Sequence, residues 1–295
     1  MSNIRTDLAS ELREENGVTE EDGIKEENIE TDGIKVKRIE ILDDSAAKKI
    51  GRNKGKYISI YFDGIFSDNS FFDKTCEVIK NELNALSDFK DKETLVIGLG
   101  NAALTADALG PKTVSGIIAS RHLKKHVPKL FYNMKLGEVS TLTTSVLGKT
   151  GIESSELVKA AIEKVKPKIV IVIDALAARE MKKLCTTLQI TDTGICPGSG
   201  VGNNREELSE KTLGVKVISI GVPTVVNART LAHDLAKENN CEASEKSLSP
   251  YDENLIVTPK DIDILLSKCA SLLSTSINKT LHPYLSNDEI NLLSE

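Results

Sequence analysis

Ile169-Val-Ile-Val-Ile173-Asp174-Ala-Leu-Ala-Ala-Arg179 is the stretch on which the fold turns. Its five leading residues are all β-branched and show no polar alternation, which suits a strand buried on both faces of a parallel sheet. The run delivers Asp174 at its carboxyl end, where open α/β sheets place their ligands. A helix over 177–184 is predicted to follow.

Working outward, Leu157, Ala161 and Val165 stand four apart behind Ser154, a suitable N-cap, and predict a helix over 155–165. Thr94-Leu-Val-Ile-Gly98 is a second short apolar run, closed by the turn Gly98-Leu-Gly100-Asn101. Pro111 favours a first helical turn, so a helix is predicted over 111–125. Tyr57-Ile-Ser-Ile-Tyr-Phe62 reads as a strand, and Cys76, Ile79, Leu83 and Leu86 predict a helix over 72–86. Downstream come a strand over 186–190, a glycine-rich loop over 193–203, a strand over 217–221, and helices over 225–237 and 259–281. The polar stretch 238–254, with Pro250, reads as a loop. This β/α alternation predicts a single α/β domain.

With 295 residues, 40% hydrophobic and 28% charged, the chain can bury a large core, which excludes disorder for most of it. Residues 1–32 hold eleven acidic against three basic side chains, net −8, leaving about +2 on the other 263. The opening segment therefore reads as an exposed acidic arm, helical around 8–15, on a nearly neutral body. Such a body has no clustered basic face for nucleic acid. No stretch approaches the roughly 20 apolar residues of a membrane span, and no apolar run near the start suits a signal peptide, so a cytoplasmic location is expected. Five widely spaced cysteines without a C-x-x-C pair indicate neither a disulfide framework nor a zinc site.

Two aspartates follow buried strands: Asp174, and Asp107 in Leu-Thr-Ala-Asp107-Ala-Leu-Gly110-Pro111. If their strands are neighbours, both carboxyls converge on one cleft. Two carboxylates in a partly desolvated cleft share a proton, so one can activate water while the other protonates a leaving amine. The plainer reading makes both of them helix caps. Gly98 and Gly100 resemble the start of a dinucleotide fingerprint, but Ala103 stands where the third glycine belongs, and a tight turn passing close to Asp107 explains them better. In the glycine-rich loop, Gly198, Ser199 and Gly200 could present backbone N–H groups to a substrate carbonyl, or simply connect two strands. Cys196 has no local histidine to activate it. His122 and His126 have two-histidine metal spacing, yet Lys124 and Lys125 beside them disfavour a cation.

Six motifs, in order, resemble those of the germination proteases of endospore-forming bacteria. They are Asp107-Ala-Leu-Gly-Pro111, Ile173-Asp-Ala-Leu-Ala-Ala-Arg179, Asp192-Thr-Gly-Ile195, Pro197-Gly-Ser-Gly-Val-Gly-Asn203, Ile220-Gly-Val-Pro-Thr-Val-Val226 and Val257-Thr-Pro-Lys260. The resemblance implies an endopeptidase that degrades small acid-soluble spore proteins. It also implies an α/β/α sandwich with a mostly parallel sheet, similar to hydrogenase-maturation peptidases, and an aspartate pair that motif matching places at Asp107 and Asp174. A homotetramer in the forespore or spore core is implied, without a required metal or cofactor and without direct contact to nucleic acid or membrane.

A zymogen is implied as well. Thr6-Asp7-Leu8-Ala9-Ser10-Glu11 looks like the Thr-Glu-(Phe or Ile)-Ala-Ser-Glu site that the family cuts, which marks Asp7 and Leu8 as the processing site. The expected organisation is a pro-segment over 1–7 and a catalytic domain over 8–295, of which 8–56 form the acidic arm and lead-in. Cys196 stands where the family carries histidine, and the pro-segment is shorter than in the family. The rival readings are a metal-dependent maturation-type peptidase and a non-enzymatic Rossmann-like nucleotide-binding module.

Overall fold

A computed structural model describes residues 6–62, 69–198, 205–238 and 255–294. Among them nine strands form one sheet: β1 (Ile24–Thr31), β2 (Ile34–Ile41), β3 (Gly55–Tyr61), β4 (Thr94–Gly98), β5 (Val139–Thr143), β6 (Ile169–Ala178), β7 (Thr187–Thr191), β8 (Lys216–Asn227) and β9 (Ile256–Val257). The order is β1-β2-β3-β7-β8-β6-β4-β5, with β9 on β8. Strands β5, β4, β6 and β8 run parallel, and antiparallel β7, β3, β2 and β1 extend the sheet beyond β8.

Alternation within the strands divides the core into two layers. Ile34, Val36, Ile58, Ile60, Ile171, Ile173, Ile218 and Ile220 face helices Asn69–Leu86, Leu109–Ser115 and Ile262–Leu281. On the other face Leu95, Ile97, Val170 and Val172 meet helix Ser154–Val165, while Ile39, Ile41 and Tyr57 meet helices Ala9–Glu15 and Asp44–Ile50. Each fully buried isoleucine contributes about 1.5–3 kcal/mol by leaving water. The result is an α/β/α sandwich.

Several elements depart from the sequence reading for identifiable reasons. The opening segment is no exposed arm. Val18 and Ile24 join Ile39, Ile41, Ala46, Ile50 and Tyr57 in a cluster of their own. Strands β1 and β2 form a hairpin around Asp32 and Gly33, both at positive φ, as a two-residue type I′ turn requires.

The expected helix over 177–184 is absent. Strand β6 continues to Ala178, paired with a lengthened β8 through a bulge at Leu176/Ala177, and only a single 3-10 turn, Met181–Lys183, follows. The lengthening of β8 delays the next helix to Ala228–Glu238. The helix over 111–125 is two pieces, Leu109–Ser115 and Arg121–His126. Asn278 separates them, its amide donating to the Gly116 carbonyl at 2.8 Å and accepting the Ile118 N–H at 3.0 Å. Ser154 begins its helix rather than capping it, since Glu153 occupies the cap in a reciprocal capping box.

Candidate active site

Gly98 of β4 pairs with Ile173 of β6, so the two strands end side by side. The chain leaves β4 and folds back at once. Gly100 takes φ +108°, and a Cβ there would lie 2.1 Å from the Asp107 carbonyl oxygen. Only glycine permits that approach. Asp107 closes the 3-10 turn Thr105–Asp107, and its Oδ2 accepts the Asn101 N–H at 2.8 Å. The Thr224 hydroxyl of β8 donates to the Ala106 carbonyl at 2.6 Å and ties this turn to the sheet. A Cβ on Gly98 would lie 2.4 Å from the Gly110 carbonyl oxygen, so the following helix is pressed equally tightly onto β4.

Asp174 stands inside β6, 6% exposed, with its Oδ1 accepting the Ala175 N–H at 3.0 Å. Neither aspartate caps a helix: Asp174 is a strand residue, and Ala108 occupies the cap position of Leu109–Ser115. Asp107, Asp174, Asp7 and Arg205 line one cavity of about 220 Å³, together with Gly100, Gly198 and Thr224.

Burial, then the neighbouring charges of Asp107 and Asp7, push the Asp174 carboxyl well above its ordinary range. Burial also raises Asp107, against the Asn101 N–H and the Arg205 guanidinium, which favour its charged form. Two carboxyls so placed divide naturally into one that keeps its proton and one that yields it.

Of residues 6–11, Asp7 lines this cavity and the others are pinned around it. The Asp7 N–H donates to the Ala177 carbonyl, and the Ala177 N–H donates to Asp7 Oδ2, both at 2.9 Å. Leu8 is inaccessible, packed with Leu176, Ala178, Leu184 and Val226. Gln189 of β7 brackets this residue: its Nε2 donates to the Asp7 carbonyl at 3.2 Å, and its Oε1 accepts the Ala9 N–H at 2.8 Å. Glu11 is buried against the N–H groups of Arg179 and Glu180, at 2.8 and 3.1 Å, and the Lys183 ammonium at 3.2 Å, with the Thr6 hydroxyl also donating to it. Arg52 donates to the Thr6 carbonyl at 2.9 Å and lies 3.5 Å from the Asp7 carboxylate.

The remaining candidates separate from this centre. Ser199 and Gly200 lie outside the described residues, while Gly198, at φ +75°, reaches the cavity wall. Cys196 lines a second cavity of about 340 Å³, which Asp7 and Gln189 also line, and burial raises its thiol and disfavours a thiolate nucleophile. His122 and His126 sit exposed on a short surface helix, and among the described residues no group of three or more His, Cys, Asp or Glu side chains could hold a metal ion.

Gln189, Arg205 and Lys183 escaped the sequence reading. Gln189 had a signal, since a carboxamide flanked by Leu188 and Ile190 in a buried strand must find partners. Arg205 and Lys183 carry no such local sign.

A model of the germination protease family matches residues 3–237 of this chain. The germination protease of Caldanaerobacter subterraneus subsp. tengcongensis is 43% identical, with 98% of each chain covered. That of Clostridium perfringens strain SM101 is 38% identical, with 99% of each covered. Among solved structures, a nickel–iron hydrogenase maturation protease of Thermococcus kodakarensis matches at 18% identity and a TM-score of 0.37, over 65% of this chain and 95% of that one. No helix among the described residues is long and apolar enough to cross a membrane.

Proposed function

The chain belongs to the germination protease family and is a protease of spore germination; from this we propose an aspartic-type endopeptidase, made as a zymogen that removes residues 1–7 itself. The observation that carries this reading is the placement of Asp7 in the same cavity as Asp107 and Asp174, with Leu8 seated in an apolar pocket beside it. Self-cleavage breaks the Asp7–Leu8 peptide bond. Asp107, which burial raises but which is less buried than Asp174 and has Arg205 and the Asn101 N–H favouring its charged form, takes a proton from water as the water oxygen attacks the Asp7 carbonyl carbon. Asp174, the more deeply buried, gives its proton to the departing Leu8 nitrogen.

The same seat serves proteins cut in trans, with an acidic residue before the cut and a large apolar residue after it. The substrates are small acid-soluble spore proteins, and the enzyme acts as a homotetramer in the spore core. Its site uses the aspartate pair without a metal, so activity survives thorough chelation.

Asp107→Asn and Asp174→Asn, each incubated with a peptide containing Thr-Glu-Phe-Ala-Ser-Glu, test the chemistry. Each is expected to cut at least about a hundredfold more slowly, since each removes one general acid–base partner. Wild-type rates in both would overturn the pair. Retention of residues 1–7 in protein from mature spores would overturn the processing site.

A further inference from the structure

Gln189 is a carboxamide 6% exposed, at the wall of the second cavity, and it spends both of its polar atoms on the segment whose Asp7 also lines the aspartate cavity. Its orientation is fixed by its partners, because the Ala9 N–H can only donate and the Asp7 carbonyl can only accept. Nε2 therefore points at the Asp7 carbonyl oxygen, 3.2 Å away. We infer that Gln189 is a catalytic residue, whose amide N–H stabilises the negative charge that develops on the carbonyl oxygen of the bond being cut. The inference rests on the reading of Asp7–Leu8 as that bond.

The step balances without a further reactant. The water oxygen bonds to the Asp7 carbonyl carbon and gives its proton to one aspartate. The carbonyl π electrons move onto the oxygen facing Gln189 Nε2. They return as the carbon–nitrogen bond breaks, and the other aspartate protonates the Leu8 nitrogen. A donor fixed in advance toward that oxygen needs no reorganisation during reaction, and removal of one such donor costs about a hundredfold to a thousandfold in kcat. The carboxamide acceptor holds the Ala9 N–H on the far side of Leu8, so the same side chain keeps the bond in register.

A solely structural clamp would also contact both groups, so the test must separate anchoring from chemistry. Gln189→Glu and Gln189→Leu, each prepared as residues 8–295 so that no variant has to remove its own residues 1–7, are compared with the equally processed wild type on a peptide containing Thr-Asp-Leu-Ala-Ser-Glu, reading kcat and KM from pH 4 to 8. At neutral pH both variants are expected to lose kcat on the order of a hundredfold, with KM changed by less than about threefold. As pH falls, Gln189→Glu should approach the wild type measured at the same pH, because a protonated carboxyl regains an O–H donor, while Gln189→Leu should not.

Wild-type kcat with a raised KM would overturn the inference, as would Glu and Leu variants that track one another at every pH. If Gln189→Leu fails to fold, the approach of Gln189→Glu to the wild type at low pH decides alone. Failure of the underlying reading looks different: the wild type itself would then release a product that does not begin at the leucine.

Discussion

Asp7 and Ala177 exchange two hydrogen bonds of 2.9 Å, the Asp7 N–H donating to the Ala177 carbonyl and the Ala177 N–H donating to the Asp7 carboxylate. The aspartate side chain thus occupies a site on β6 that a backbone carbonyl would fill in a sheet. This fixes residue 7 on β6, three residues beyond Asp174, by one main-chain and one side-chain bond, independently of the apolar seat that holds Leu8.

Asp174→Asn should stabilise the fold while abolishing cutting. Because burial raises the Asp174 carboxyl, the folded chain holds this proton more tightly than the unfolded chain does. The stability this contributes is complete below the ordinary carboxylate range and is lost as pH rises through the folded value. The amide carries no such dependence, so the melting temperature of the variant relative to the wild type should increase from pH 4 to pH 8, by about 3 °C per kcal/mol. A constant difference across that range would contradict the burial of a charge.

Gly100→Ala should be disabling. The new Cβ would lie 2.1 Å from the Asp107 carbonyl oxygen at φ +108°, so the turn carrying Asp107 must move. A loss of about 2 kcal/mol or more is expected from the strain and the clash. Activity on a peptide should fall with it, whereas Gly148→Ala, with open space around its Cβ, should leave both unchanged.

Glu11→Gln should loosen the seat of the segment. It breaks a buried pair and leaves Lys183 with Glu180 at 3.0 Å as its remaining carboxylate. Removing one member of such a pair costs about 3 kcal/mol. Urea unfolding should report the loss, and amide exchange should localise faster opening to residues 6–15. Exchange rates equal to the wild type there would show that the pair does not hold the segment.

Acid should weaken the fold through His282, far from the aspartates. Its Nδ1 accepts the Gly137 N–H at 3.2 Å, its Nε2 faces the Ile118 carbonyl at 3.0 Å, and burial depresses its proton affinity from 6.5 to about 4. Protons therefore bind the unfolded chain first. The neutral ring stabilises the fold fully above about 6.5, and that contribution, up to about 3 kcal/mol, is lost as pH falls toward 4. His282→Asn should be weaker than the wild type at pH 7 and show a flatter decline below 6.5.

The parallel centre was legible in the sequence because Thr94-Leu-Val-Ile-Gly98 and Ile169-Val-Ile-Val-Ile173 are buried on both faces, which leaves an apolar run with no alternation to confuse. That Asp107 and Asp174 line one cavity followed from the rule that ligand sites gather where such strands end, although β6 itself runs on past Asp174 to Ala178. The elements that escaped depend on distant partners. Ala-Leu-Ala-Ala at 175–178 favours helix locally, yet Leu8 and the lengthened β8 hold it extended. Asn278 ends a helix from 162 residues away. The hairpin of β1 and β2 hid behind the charges of β1, although Asp32-Gly33 just before the alternating run Ile34-Lys-Val-Lys37 is a turn signal. Gln189 could be flagged as a buried polar residue, but its partners lie 180 and 182 residues earlier in the chain.

Strand β4 ends its pairing at Gly98, opposite Ile173, whereas β6 runs on to Ala178. Beyond Ile173 no described strand pairs with β6 on that side, and Asp7 supplies backbone and carboxylate partners to Ala177 there. Such a ledge accepts only backbone whose amides are still unspent, and residue 7 qualifies because it precedes the helix Ala9–Glu15. A segment seated there must therefore arrive at that point with its own N–H groups free, before its side chains meet the apolar seat.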